Sequence, residues 1–249
     1  MRCRLWLSVA WLAVASGLTA QSMPRQAVQL FTMANQTRAA YGLGRLDWDQ
    51  QLANAAYQHC LLMARAGTIS HQFVGEAELG ERAHRAGAHF TLVEENVASG
   101  PNAPGLHDAW MHSPGHRANL LNPRIDQVGI AVIAFRGTVY AVADYAKGVD
   151  VLSLDEVIET VAGMLSEKGL ELIEAALDAR TACEQDLPHY TGPHPRMIFR
   201  WEDGDVHHLP KELIPHLESG RYRQAAVSSC PPDRTDGPFT VYRMAVLLY

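Results

Sequence analysis

The stretch "WMHSPGHRANLLNP", residues 110–123, sets an aromatic residue and two histidines around a helix-breaking dipeptide. Ser113 followed by Pro114 predicts the start of a new helix, because serine favours the N-cap and proline favours the first helical position. Proline also disfavours helical backbone in the residue before it, so the preceding helix should end near His112. The stretch therefore predicts two consecutive short helices, with His116 in the first turn of the second.

Two longer amphipathic helices precede this stretch. Apolar residues at helical spacing predict one helix over about 25–41, and a second that is capped by Asp47 or Asp49 and ends at Gly67. His59 falls on the apolar face of the second helix, which predicts a core histidine with a local hydrogen-bond partner rather than a ligand.

Two β-rich segments complete the first part of the chain. "FTLVEENVASG", residues 90–100, is typical of an extended segment, and "VGIAVIAFRGTVYAVADYA", residues 128–146, is typical of a β-hairpin about Arg136-Gly137. Helices and strands thus alternate up to about residue 148, which predicts a first domain of mixed α and β structure over 24–148.

The remaining residues, 150–249, predict a C-terminal annex of helices followed by β-hairpins. Ser153 with Glu156 forms a capping-box pattern that opens a helical stretch to about Cys183, interrupted near Gly169.

The annex ends in β-rich sequence. Residues 196–209 are typical of a hairpin about Asp203-Gly204, a short helix is predicted at 210–217, and the last eleven residues, 239–249, form the strongest strand pattern of the chain. This tail loosely resembles the hairpin of the first domain, which leaves an internal repeat and a chance likeness as alternatives.

The amino terminus has the layout of a secretory signal peptide. Two arginines precede an apolar run at about 5–18, which is too short for a comfortable membrane span. Cleavage after Ala20 or Ser22 gives a signal peptide of about residues 1–20 and predicts a secreted, extracellular or periplasmic protein. The alternative is an uncleaved N-terminal anchor.

The charge balance restricts the partners. The formal net charge of −6 becomes −8 when the two arginines of the signal peptide are removed. A mildly acidic protein lacks the basic surface that binds nucleic acid or anionic lipid, and no later segment is apolar for long enough to span a bilayer.

Three cysteines remain after signal removal. Cys183 and Cys230 lie in the annex and are the natural disulfide pair in an exported protein, which leaves Cys60 as a buried thiol. Three unpaired cysteines are the alternative, since sequence alone does not fix connectivity.

Four ordered motifs resemble the CAP superfamily, also called SCP-like domains, which comprises cysteine-rich secretory, antigen 5 and pathogenesis-related proteins. They are residues 30–71, ending in "ISH", "VEENVASG", the opening stretch, and "QVGIAVIAF". The resemblance covers about 26–147, and in this part the chain resembles the short bacterial branch of the family. The C-terminal region is an addition to that domain.

The resemblance implies a three-layer α-β-α sandwich with a central antiparallel sheet and a cleft lined by two histidines and two acids. The matching motifs place His71, Glu95 and His116 in that cleft. The second acid of the eukaryotic members falls at Ser113, so this chain departs from the full set there. Trp110 is expected to be a packing anchor.

The predicted cleft has the donors of a metal site. Two imidazoles and a carboxylate, here His71, His116 and Glu95, form a common donor set for zinc or a similar divalent ion. The first helical turn favours the neutral, ligating form of His116. The alternative is a buried histidine–carboxylate network that only rigidifies the sandwich.

Two functions from different classes follow. The first is a secreted binding module that uses its metal or cleft to hold a small apolar ligand, a glycan or an extracellular protein. The second is a metal-assisted hydrolase with Glu95 as general base, although one carboxylate cannot easily be both ligand and base. Ser113 lacks the G-x-S-x-G elbow of a nucleophile. In a third possibility the annex is the interaction surface.

Overall fold

Two four-stranded sheets, each flanked by helices, organise the part of the chain that the structure describes. The computed structural model describes residues 25–174, 179, 182–183, 194–230 and 237–249, in which seven helices are found. The predicted signal peptide lies outside these described residues.

The first unit contains five helices and four strands. Their bounds are α1 (Arg25–Ala40), β1 (Asp47–Trp48), α2 (Gln50–Ala66), α3 (Leu79–Arg85), β2 (Phe90–Gly100), α4 (Ala103–His112), α5 (Pro114–Leu120), β3 (Gln127–Phe135) and β4 (Thr138–Gly148). The strand order is β1-β3-β4-β2, in which β1 runs parallel to β3 and the other pairs are antiparallel. The short parallel strand β1 was not predicted.

The sheet lies between two layers of helices. Helices α1, α4 and α5 pack on one face around the fully buried Trp110, and α2 and α3 pack on the other. The predicted α-β-α sandwich and the anchoring role of Trp110 are thereby confirmed. Helix α2 starts where the carboxylate of Asp49 accepts a hydrogen bond from Leu52 N at 2.6 Å, and it ends at Gly67 with φ of 70°.

Helix α2 approaches the sheet closely because Gly129 of β3 has no side chain. A Cβ at this position would lie 2.0 Å from the backbone nitrogen of Ala53 and 2.2 Å from the carbonyl carbon of Leu52. The absence of a side chain therefore sets the distance between α2 and the sheet.

A buried arginine joins α1 to the segment that follows α5. Arg38 is 1% exposed, and its guanidinium donates hydrogen bonds to four backbone carbonyls. These belong to Gly44 (2.7 Å), Leu120 (3.0 Å), Asn122 (2.8 Å) and Ile125 (3.2 Å). Burial lowers the pKa of Arg38 from its usual value.

The second unit contains α6 (Leu154–Glu167), β5 (Glu171–Leu172), β6 (Met197–Asp203), α7 (Ile214–Glu218), β7 (Gln224–Cys230) and β8 (Tyr242–Leu248). The capping box of Ser153 and Glu156 is present at the start of α6. The Cys183–Cys230 disulfide is formed, as predicted. Cys60 is free and buried, and burial raises the pKa of its thiol to about 12, which makes it unreactive.

The second sheet repeats the topology of the first. Its strand order is β5-β7-β8-β6, with β5 parallel to β7 and the other pairs antiparallel, so each strand matches the one four places earlier in the chain. The helix before each first strand also ends alike, at a glycine with positive φ, Gly42 and Gly169. This correspondence favours the internal repeat over the chance likeness.

The correspondence corrects one prediction, the hairpin about Asp203-Gly204. Strand β6 does end at Asp203, but its partner is β8 rather than the residues that follow the glycine. The reason is topological, because β6 takes the place of β2, and β2 likewise pairs only with the last strand of its sheet.

None of the described helices is both long and apolar enough to cross a bilayer.

Candidate functional site

The two predicted histidines lie close together beside β2, an edge strand of the first sheet. His71 comes from the loop after α2, and His116 comes from the first turn of α5. Their ring centroids are 6.2 Å apart. Residues from opposite helical layers meet here because β2 is an edge strand that both layers can reach around.

Glu95 of β2 lies beneath His71 and is almost fully buried. Its Oε1 is 2.8 Å from Nδ1 of His71, and its Oε2 accepts a hydrogen bond from Nη2 of Arg82 at 2.5 Å. The hydrogen bond to Glu95 raises the pKa of His71. The carboxylate therefore fixes the orientation of the ring through Nδ1 and leaves Nε2 as the nitrogen that it does not engage.

His116 differs from His71 in its electrostatic surroundings. Partial burial, together with the nearby His71, lowers the pKa of His116, which favours the neutral ring. Asn96 holds the backbone of this turn, since its Nδ2 donates to His116 O at 2.9 Å and its Oδ1 accepts from Asn119 at 3.1 Å. The two histidines are thus pushed towards different protonation states.

Arg82 on α3 is a residue of the candidate site that the sequence did not reveal. Besides Glu95, its guanidinium donates to the carbonyl oxygens of His71 at 3.0 Å and Ala77 at 3.3 Å. A single arginine thereby fixes both the acid and the backbone of the first cleft histidine. On a short helix with charged neighbours it looks like a solvated residue, and only its 8% exposure in the structure identifies it.

His59 supports the same loop from below. Its Nδ1 is 2.6 Å from Oε1 of Glu76, and its Nε2 is 2.7 Å from the carbonyl oxygen of Ser70. Since a carbonyl oxygen only accepts, Nε2 must carry a hydrogen. Glu76 also accepts from Phe73 N at 2.9 Å, so these contacts tie the loop that carries His71 to α2. The prediction of a core histidine with a local partner is confirmed.

Asp144 of β4 is a second acid that the sequence did not reveal. It is fully buried and lies directly opposite Glu95 in the β2–β4 register. Among the described residues, no donor reaches either of its carboxylate oxygens. Burial, reinforced by the negative charge of Glu95, raises the pKa of Asp144 well above its usual range, which favours the protonated form that can donate to Glu95.

The Asp144→Asn variant is expected to be more stable than the wild type at neutral pH. The pKa of Asp144 is higher in the folded state than in the unfolded state. Its contribution to the free energy of unfolding is therefore fully present below about pH 4 and is lost as the pH rises towards the folded pKa. The neutral amide removes this loss, so the difference in free energy of unfolding should grow by about 1.4 kcal/mol per pH unit between about pH 4 and the folded pKa, and stay constant above it. Urea unfolding of both proteins from pH 4 to 8 measures it.

Asp108→Asn, at an exposed carboxylate on α4, is the control and should follow the wild-type profile. Parallel pH profiles for Asp144→Asn and the wild type would show that Asp144 is ionised.

His112 and Ser113 of the opening stretch lie at the junction of α4 and α5. Ser113 is half-buried at the junction of α4 and α5, where its N–H bonds back to Ala109 O and its carbonyl accepts from Arg117 N. It holds the predicted N-cap position, but its side chain makes no capping hydrogen bond, because the backbone alone joins the two helices. His112 is 78% exposed and pairs with Asp108 at 3.3 Å, as expected of a surface residue.

The metal set of His71, His116 and Glu95 stays a prediction. Within the described ranges, no three histidine, cysteine or acidic side chains are arranged so that they could hold a metal ion. Glu95 is already engaged by His71 and Arg82. The donor atoms that best fit a metal are therefore ring nitrogens of the two histidines.

Comparisons with known proteins agree with this architecture. Residues 31–145 match the cysteine-rich secretory protein family, CAP. The chain is 30% identical over 105 residues to the uncharacterized membrane protein YlbC of Bacillus subtilis, covering 42% of this chain and 30% of that protein. It is 28% identical over 100 residues to a protein of Borreliella burgdorferi, covering 40% and 64%. The chain thus spans less than two thirds of these curated relatives.

Two solved structures are also similar. An extracellular SCP-domain protein from Bacillus anthracis has a TM-score of 0.46 and 29% identity, with 49% of this chain and 40% of that chain covered. An outer surface protein from Borrelia burgdorferi has a TM-score of 0.47 and 23% identity, with 50% and 94% covered.

Proposed function

Because residues 31–145 form a CAP domain, we propose that the chain is a secreted binding protein whose cleft holds a divalent metal ion, such as zinc, between His71 and His116. The observation that carries this proposal is the bond between Nδ1 of His71 and the buried carboxylate of Glu95. Histidine ligands commonly bind a metal through one nitrogen while the other is held by a carboxylate.

The hydrogen bond that anchors the His71 ring and the lowered pKa of His116 support this assignment. Glu95 fixes the ring of His71 and remains an orienting group rather than a ligand, which revises the predicted donor set. The lowered pKa of His116 favours the neutral form that a metal requires. When bound, the ion would supply positive charge for a polar group of the ligand, and the residues of the cleft would orient that group.

The loop that carries His71 suggests what the ligand has besides a polar group. Ile69 is 45% exposed and Val74 is fully exposed, and both lie on the loop that carries His71. Exposed aliphatic side chains beside a polar centre suit a small amphiphilic ligand. We favour this class over a glycan or an extracellular protein.

The contacts of Glu95 favour binding over hydrolysis. A general base needs a free oxygen within reach of water, but the two oxygens of Glu95 contact His71 and Arg82 under a nearly closed surface. Ser113 supplies no second carboxylate.

Removing both histidines, in the variant His71→Ala/His116→Ala, is expected to abolish zinc binding. Each single variant should weaken the affinity at least about 100-fold, and Glu95→Gln should weaken it about 10- to 100-fold, the range for groups that orient ligands. Titration calorimetry of the signal-free protein with zinc alone measures these effects.

His112→Ala, which removes an exposed histidine on the neighbouring helix, is the matched control and should bind like the wild type. Wild-type affinity and stoichiometry in the double variant would contradict the proposal.

A further inference from the structure

The connection between the last two strands differs between the two units. In the first unit, two residues, Arg136 and Gly137, join β3 to β4. In the second unit, the equivalent connection runs from 231 to 241. Its described part includes residues 237–240, here called the clamp, and the clamp lies against the first unit. The tandem topology thus identifies this long connection as a feature of the second unit only.

The clamp contacts the start of β2. The ring of Phe239 packs edge-on against the fully buried Phe90, with the ring centroids 5.6 Å apart. Thr240 N donates to Phe90 O at 2.9 Å, and the Thr240 hydroxyl lies 3.3 Å from Nδ1 of His89. Glu95 lies further along this same strand.

The clamp also contacts the start of α3. A Cβ on Gly80 would lie 3.0 Å from Cγ of Pro238. The proline ring thus packs so closely against Gly80 that even a methyl group there would be crowded. Arg82 follows two residues later on the same short helix and bonds to Glu95 and to the carbonyl oxygen of His71. The clamp thus contacts both elements that carry the groups fixing His71.

We propose that Pro238 and Phe239 are positioning residues for the cleft. By holding α3 and the start of β2 together, they keep Arg82 on Glu95 and thereby keep His71 oriented. The second unit consequently sets the affinity of a site to which it contributes no ligand. This inference rests on the proposed metal-binding function for its effect on affinity, but the contacts themselves do not depend on it.

Phe239→Ala is expected to weaken zinc binding about tenfold in the full chain, measured well below the unfolding temperature. Tenfold is the lower end of the effect of groups that orient metal ligands, because the clamp acts through Arg82 and Glu95. Phe239→Tyr keeps the ring against Phe90 and should restore the affinity. Phe135→Ala removes an exposed phenyl group at the end of β3, next to the equivalent connection of the first unit, and should leave the affinity unchanged.

Hydrogen exchange of the same variants gives a second readout that needs no metal. In Phe239→Ala, the amides of α3 and of the loop carrying His71 should exchange faster, while those of α1 keep their wild-type rates. If the wild type binds zinc, unchanged affinity or unchanged exchange in Phe239→Ala overturns the clamp and leaves the proposed function standing. If the wild type binds no zinc, the proposed function fails, and unchanged exchange overturns the clamp by itself.

Discussion

Gly129→Ala is expected to lower the free energy of unfolding by more than about 4 kcal/mol, which prevents stable folding of the first unit. Overpacking usually costs about 1–3 kcal/mol, because flexible side chains move aside. Here the added methyl group meets backbone atoms of Ala53 and Leu52 at 2.0 and 2.2 Å, so α2 as a whole would have to move. Urea unfolding followed by circular dichroism measures the loss.

Gly163→Ala is the matched control, since its Cβ would meet nothing within 4 Å inside α6. That change should raise stability by about 0.5–1 kcal/mol, because alanine has the higher helix propensity. Equal stability of Gly129→Ala and the wild type would mean that α2 does not lie as close to β3 as described.

Arg38→Met is expected to lower the free energy of unfolding by about 3–5 kcal/mol. The substitution leaves four carbonyl oxygens without their donor, and each unsatisfied buried group costs about 1–3 kcal/mol, partly offset where water can enter. Arg38→Lys should lose an intermediate amount, because one ammonium group cannot reach all four acceptors. The same denaturant experiment measures both variants.

Arg65→Met, at an exposed position on α2, is the control and should change stability by less than about 0.5 kcal/mol. A loss of similar size in Arg65→Met and Arg38→Met would contradict the role of the buried guanidinium.

The sequence predicted those features that depend on local patterns. Periodicity and capping residues located α1 and α2 within a few residues, and the Ser113-Pro114 pair placed the boundary between α4 and α5. The family resemblance supplied the fold and the two cleft histidines, which the structure brings together.

The features that were missed depend on strand register and chain-distant contacts. Asp144 is recognisable as a buried acid only when β4 is paired with β2, which places it opposite Glu95. Arg38 bonds to partners up to 87 residues away, and Arg82 bonds to Glu95, which is 13 residues away on another element, so their neighbouring sequence does not distinguish them from solvated arginines. The prediction of a hairpin about Asp203-Gly204 was wrong for the same reason. A turn-forming dipeptide does not specify which strand pairs with the strand before it.

The repeated strand order allows equivalent positions of the two sheets to be compared. Gln127 and Gln224 each lie opposite the first residue of the short parallel strand in their sheet, so the two sheets can be aligned on them. In this alignment, Glu95 corresponds to Ile198, and Asp144 corresponds to Leu247. In the second unit these positions form an aliphatic core. The same strand arrangement therefore forms with aliphatic side chains at these positions as well as with acidic ones. The topology does not require the ionisable groups beneath His71.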